Sequence, residues 1–185
     1  MDDEKIDVVI TYLEQRQRPM LPTPHAPPVK TAILRAEAPP THFYRYLYDQ
    51  IGAPHNWVSR RALSDEALSA IIHHPDDHIF VLYVGGVPAG LAEIDARSRE
   101  TVELKFFGLV PEYVGAGYGR YFLTHAIDAA WAFEPQRVIL ETCSLDHPAA
   151  LPLYQKLGFT VFDQRTGRVE MAPEFKNAAL RKNRP

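Results

Sequence analysis

The segment Pro111-Glu112-Tyr113-Val114-Gly115-Ala116-Gly117-Tyr118-Gly119-Arg120 sets three glycines at alternating positions, between an apolar run and a long helical stretch. At a strand-to-helix turn such glycines leave backbone N–H groups uncovered, at the positive end of the helix dipole. That combination suits a pyrophosphate, which side chains at the same positions would hold away. Three phosphate sites compete for the reading. A P-loop ends in Gly-Lys-Ser/Thr, and Gly119-Arg120-Tyr121 supplies neither the lysine nor the magnesium hydroxyl. A dinucleotide fingerprint starting at Gly115 requires Gly or Ala at position 120, where Arg stands. The third is a coenzyme A turn.

The flanking residues favour the third. The turn and its surroundings resemble the GNAT superfamily of acyl-CoA-dependent N-acyltransferases. The family's phosphate motif, Gln/Arg-x-x-Gly-x-Gly/Ala, is matched by Val114-Gly115-Ala116-Gly117-Tyr118-Gly119. A second family signature, Asn-x-x-Ala followed by Leu-Tyr and Gly-Phe, is matched by His147-Pro148-Ala149-Ala150-Leu151-Pro152-Leu153-Tyr154, with Gly158-Phe159 behind it. Val114 stands in place of the usual Gln or Arg, and His147 in place of the usual Asn. The first change removes a polar side chain and keeps the backbone donors. The second keeps a group able to hydrogen-bond main chain or cofactor.

The resemblance implies transfer of an acetyl group from acetyl-CoA, as co-substrate and without a metal, to the primary amine of a small molecule or peptide. Direct transfer needs a neutral amine, a polarised thioester carbonyl and a proton for the leaving thiolate. By the resemblance, Tyr154 sits beside the coenzyme sulfur as general acid. A phenol of pKa ~10 can donate to a thiolate whose thiol titrates near ~8.5. The resemblance also suggests Glu103 as the base, with Glu93 on the neighbouring strand as runner-up. The same resemblance implies that backbone N–H groups around Phe107-Gly108-Leu109, on a splayed central strand, hold the carbonyl. Val114 to Arg120 and His147 complete the expected cofactor contacts, and Tyr44 and Trp57 are candidates for touching substrate. Competing readings are a non-catalytic CoA-binding regulatory module and an acyltransferase using a longer acyl group. The lone Cys143 reads as a buried apolar side chain, since no His–acid pair can be argued for it.

The elements that must position these groups are legible from period and punctuation. Asp7 to Leu13 reads as a strand, followed by a proline-crowded extended connector through Pro28. Lys30 to Arg35 reads as a second strand. Tyr44, Leu47, Tyr48 and Ile51 fall on one face of a helix that starts after Pro40 and ends at Gly52. Ser64 caps another helix. Ile79–Val84, Val87–Ile94 and Val102–Val110 form an antiparallel meander, with a hairpin at Gly85-Gly86. A helix over Gly117–Phe133, a strand over Arg137–Thr142 and a helix over Pro148–Leu157 follow. A final strand starts at Phe159, and Val169-Glu170-Met171 completes a hairpin with it. The expected fold is α/β (α+β): a mixed, mostly antiparallel central sheet flanked by helices.

The 185 residues, 46% hydrophobic and 23% charged, suit one domain with a sizeable core. Residues 1–29 read as strand and connector, 30–175 as the acyltransferase domain, and 176–185 as a flexible basic tail. No apolar run reaches the ~18 residues of a membrane span. The acidic opening Met1-Asp2-Asp3-Glu4 and the single cysteine suggest a cytoplasmic protein. A net charge of −3 offers nucleic acid no attractive field. His73, His74 and His78 flank a surface turn and lack metal-ligand spacing. The N-terminal strand reads as a cap on a sheet edge or as an element exchanged within a homodimer.

Overall fold

In the computed structural model, which describes residues 5–172 except Thr23, Ala26 and Pro28, seven strands form one sheet. They are β1 (Lys5–Gln15), β2 (Thr31–Ala36), β3 (Asp77–Val84), β4 (Val87–Asp95), β5 (Thr101–Leu109), β6 (Arg137–Cys143) and β7 (Thr160–Glu170). Four helices flank them: α1 (Thr41–Gly52), α2 (Asp65–Ile72), α3 (Tyr118–Trp131) and α4 (Ala150–Lys156). The strand order is β2-β3-β4-β5-β6-β1-β7. Every pairing is antiparallel except β5 with β6. This is the mixed α/β architecture expected from the sequence.

The apolar runs of the meander are buried on both faces, which is why they do not alternate with polar residues. Ile79, Val81 and Leu91 pack with Tyr44, Leu47, Tyr48 and Ile51 of α1 and with Leu68 and Ile72 of α2. Leu82, Ala92, Ile94, Val102 and Leu104 pack instead with Phe122, Leu123, Ala126 and Ile127 of α3 and with Tyr154 of α4. Ser64 Oγ accepts the Ala67 N–H at 3.2 Å, so α2 starts where its cap dictates.

The N-terminal strand corrects one expectation. β1 does not cap an edge; it lies inside the sheet, antiparallel to β6 on one side and β7 on the other. Its far end is tied into the helical layer by buried Gln15. That amide donates Nε2 to Leu157 O and accepts Trp131 Nε1–H through Oε1, both at 2.8 Å. The connector then follows α3, with Arg18 paired to Asp128 at 2.8 Å. β7 is likewise one continuous strand whose register partner is β1, so Val169 and Glu170 extend it and form no hairpin. The basic tail at 176–185 lies outside the described residues.

One charged cluster is built into the α1–sheet interface. Glu93 is fully buried and accepts from both Tyr44 Oη–H and Arg60 Nη2–H, while the Arg60 guanidinium lies 5.2 Å from the centre of the Phe106 ring. Burial, reinforced by the Glu93 charge, holds the Tyr44 phenol well above its usual range. Neighbouring Asp77 is buried with both oxygens unpartnered. Burial, with the charge of Glu93 added, pushes its carboxyl up to about 8.

Two stability predictions follow from that cluster. Arg60→Met leaves Glu93 buried and unpaired, and should cost about 3–5 kcal/mol in denaturant unfolding at pH 7. Folded Asp77 holds its proton up to about pH 8 while the unfolded chain releases it near 3.8, so its share of stability is present below pH 4 and lost through pH 8. Asp77→Asn should therefore gain on the parent chain as pH rises from 4 to 8 and hold that gain above it. A gain independent of pH would contradict this assignment.

Candidate active site

The parallel pair β5–β6 is short. Only Thr101, Val102 and Glu103 find partners, in Arg137, Val138 and Ile139, and beyond them the strands part. At the end of β5 the Val110 N–H donates to Ala89 O of the β4 side at 2.9 Å. Alternate residues of an antiparallel ladder point their amides the same way, so those of Phe107 and Leu109 point oppositely, into the gap. Gly108 between them is required by close approach: a Cβ there would stand 2.3 Å from Ile51 Cγ2.

The gap leads to the glycine turn. Gly115 and Gly117 have φ of +88° and +86°, and a Cβ on either would meet nothing within 4 Å. The backbone here is an open cradle. Gly117 is the N-cap of α3, and the first intrahelical amide bond is Tyr121 N–H to Gly117 O. The amides of Tyr118, Gly119 and Arg120 are thus left for an outside acceptor. These donors, the helix dipole and the Arg120 side chain fit the diphosphate of coenzyme A.

Turn and gap share one cavity of about 490 Å³, the size of a small-molecule site. Of the residues expected from the sequence, Phe107, Gly108, Leu109, Val114, Gly115, Gly117, Gly119, Arg120, His147, Tyr154 and Trp57 line it. Ala116 and Tyr118 do not; Tyr118 is buried and packs edge-on to Tyr113. His147 Nδ1 accepts the Ala149 N–H at 3.1 Å in the turn that precedes α4. Tyr154 is buried with its phenol pushed well up, first by burial and then by Asp146, so it holds its proton at neutral pH.

Neither expected carboxylate reaches the cavity. Glu93 is consumed in the pair with Arg60, and Tyr44 is sealed in the same cluster. Glu103 lies in the paired part of β5 and accepts from Lys105 Nζ at 2.9 Å. Two other carboxylates line the cavity: Asp146, which accepts from Thr142 Oγ1 and the Cys143 N–H, and Glu141 of β6, exposed and without a hydrogen bond or ion pair among the described residues. The period-two signal was present: buried Val138, Leu140 and Thr142 put Glu141 on the opposite face. Cys143 also lines the cavity, and burial together with Asp146 raises its thiol, so it stays protonated and poorly nucleophilic. Val8 and Ile10 of β1 and Val169 of β7 are further lining residues that no local motif marks. Among the described residues no group of three or more His, Cys, Asp or Glu is placed to hold a metal ion, and no helix is long and apolar enough to cross a membrane.

Comparison with known proteins agrees with this geometry. No curated protein matches the chain. Among solved structures, the chain is similar to a GCN5-related N-acetyltransferase from Sphaerobacter thermophilus, with TM-score 0.63 and 15% identity, covering 90% of this chain and 52% of that one. It is also similar to an IAA acetyltransferase from Bacillus cereus (TM-score 0.54, 19% identity, 72% of this chain and 79% of that one). A third is an aminoglycoside acetyltransferase from an uncultured soil metagenomic sample (TM-score 0.57, 14% identity, 69% and 87%). At these identities the likeness shows the fold, and the chain spans about half the length of the Sphaerobacter protein. The model of the acetyltransferase (GNAT) family matches residues 35–159, well over half of the chain. With the parted strands, the glycine cradle and the Tyr154 helix in one cavity, that match establishes that the chain belongs to the GNAT acetyltransferase family.

Proposed function

We propose that the chain transfers an acetyl group from acetyl-CoA directly to a primary amine, with Tyr154 as general acid and Glu141 as general base. The observation that carries this is the sharing of one cavity by the glycine cradle, the Phe107 and Leu109 amides, the Tyr154 phenol and the Glu141 carboxylate. The cradle binds the diphosphate and so fixes the donor's depth in the gap. Amides of Phe107 and Leu109 face the place where negative charge develops on the thioester oxygen, and they need no reorganisation to meet it. Glu141 draws a proton from the incoming ammonium, directly or through water, and frees the nitrogen lone pair for attack on the carbonyl. As the carbon–sulfur bond breaks, Tyr154 gives its proton to the thiolate. Burial holds that proton on the phenol, and it equally disfavours a bare thiolate, so both groups shift in the same sense. The raised Cys143 thiol argues for direct transfer over an acyl-cysteine route.

Tyr154→Phe should lower kcat by about 100-fold or more, while calorimetry shows acetyl-CoA affinity changed less than about threefold. Unchanged turnover would remove Tyr154 as the acid. Glu141→Gln should lose a comparable factor at pH 7 and recover towards the parent rate as pH nears the amine's own pKa of ~10.4, where no base is needed. A deficit constant across pH would argue that Glu141 only binds the acceptor.

A further inference from the structure

Resting on the transferase reading above, we infer that the acceptor is a monoamine carried on a compact apolar or aromatic body, and not a polycation or an extended peptide. Three observations carry this, and the first is the composition of the wall. Its apolar part is formed by Val8, Ile10, Ile51, Trp57, Phe106 and Val169, beside a polar part that includes Asn56, Ser59, Lys105 and Thr142. The aromatic part is rigid: Trp57 lies 5.4 Å from Tyr48 and 5.1 Å from Phe106, centre to centre. A wall of this kind gains from apolar area removed from water and offers little to hydroxyl-rich molecules.

The second observation is a count of charge. Two carboxylates line the cavity, Glu141 and Asp146. Asp146 Oδ2 already accepts from Thr142 Oγ1 at 2.6 Å and from the Cys143 N–H at 2.9 Å. Glu103 and Glu93 lie outside the lining and are held by Lys105 and Arg60. Of the two lining carboxylates, Glu141 alone has no hydrogen-bond partner among the described residues, and the ammonium of Lys105, which also lines the cavity, lies near it. A single ammonium is matched there; further ones would meet the like charge of Lys105 and an Asp146 carboxylate whose Oδ2 is already hydrogen-bonded.

The third is closure. The loop after α1 is bonded to both neighbours. His55 Nδ1 lies 3.0 Å from Leu145 O, while Asn56 donates to Glu170 O at 2.9 Å and accepts the Ala172 N–H at 2.8 Å. His55, Asn56, Leu145 and Val169 all line the cavity, so among the described residues these bonds join the rim on this side and narrow the way in for an extended chain.

The test compares 2-phenylethylamine and cyclohexylmethylamine with spermidine, kanamycin and a lysine-containing tetrapeptide. Acetylation is followed by CoA release, and binding to the CoA-saturated protein by calorimetry. The two apolar monoamines should show kcat/KM at least about tenfold above the other three. Ile10→Ser should raise KM for 2-phenylethylamine about tenfold with KM for acetyl-CoA unchanged. Val169→Thr, which keeps the side-chain shape, should shift the same KM in the same direction and guards against misfolding of the first variant. Equal or better acetylation of spermidine, kanamycin or the peptide overturns this inference and leaves the transferase reading standing. Binding of 2-phenylethylamine without acetylation of any amine supports this inference and overturns the transferase reading. Neither binding nor acetylation of the apolar amines overturns this inference.

Discussion

Parallel strands β5 and β6 run side by side for three residues and then separate, and most of the site follows from that divergence. A sheet that stays paired uses up its backbone donors and acceptors; one that parts at its centre leaves a row of them facing open space. The amides of Phe107 and Leu109 are in that position, next to the glycine cradle that begins α3. The divergence is held from both faces. Ile51 and Trp57 of the α1 side press on the backbone at Gly108, while Phe107 packs on the opposite side against Phe122 at 5.4 Å between ring centres. Backbone groups fixed between two packed layers are pre-organised for a charged group, which is what acyl transfer asks of them.

The far wall of the gap depends on the N-terminal strand. β7 is bonded to the rest of the sheet through β1, and β1 through β6. Gln15, bridging Trp131 and Leu157, anchors that strand to both helices of the cofactor side. One inserted strand thus closes the sheet, supports the Tyr154 helix and presents Val8 and Ile10 to the cavity. The family match begins at residue 35, so part of the cavity wall comes from outside the matched segment.

Local signals made much of this readable from sequence. The Gly85-Gly86 hairpin, the Ser64 cap, the α1 stripe and the glycine turn each depend on neighbours in the chain, and each stands where its residues indicate. What escaped depends on distant partners. Nothing in Lys5–Gln15 reveals that Val161 and Leu140 will flank Leu13, since that pairing is settled only when the sheet assembles. The place of Glu103, the base that the resemblance suggests, likewise depends on other strands: it accepts from Lys105 and lies outside the cavity lining. Counting by twos along β5 would put Glu103 on the face of Phe107. A β-bulge leaves Lys105 without a partner on β4 and resets the alternation, so that Leu104 and Phe107 share a face and Glu103 does not. Glu141 lies on a strand with no such interruption, where the same counting works.

The central claim is that the parted strands and the glycine cradle hold acetyl-CoA with its thioester beside Tyr154. A crystal structure of the acetyl-CoA complex tests it most directly. The account predicts the diphosphate on the amides of residues 115–120, the thioester oxygen about 3 Å from a Phe107 or Leu109 amide, and the Tyr154 hydroxyl against the sulfur. A diphosphate bound elsewhere, or a thioester lying outside the gap between β5 and β6, would contradict it.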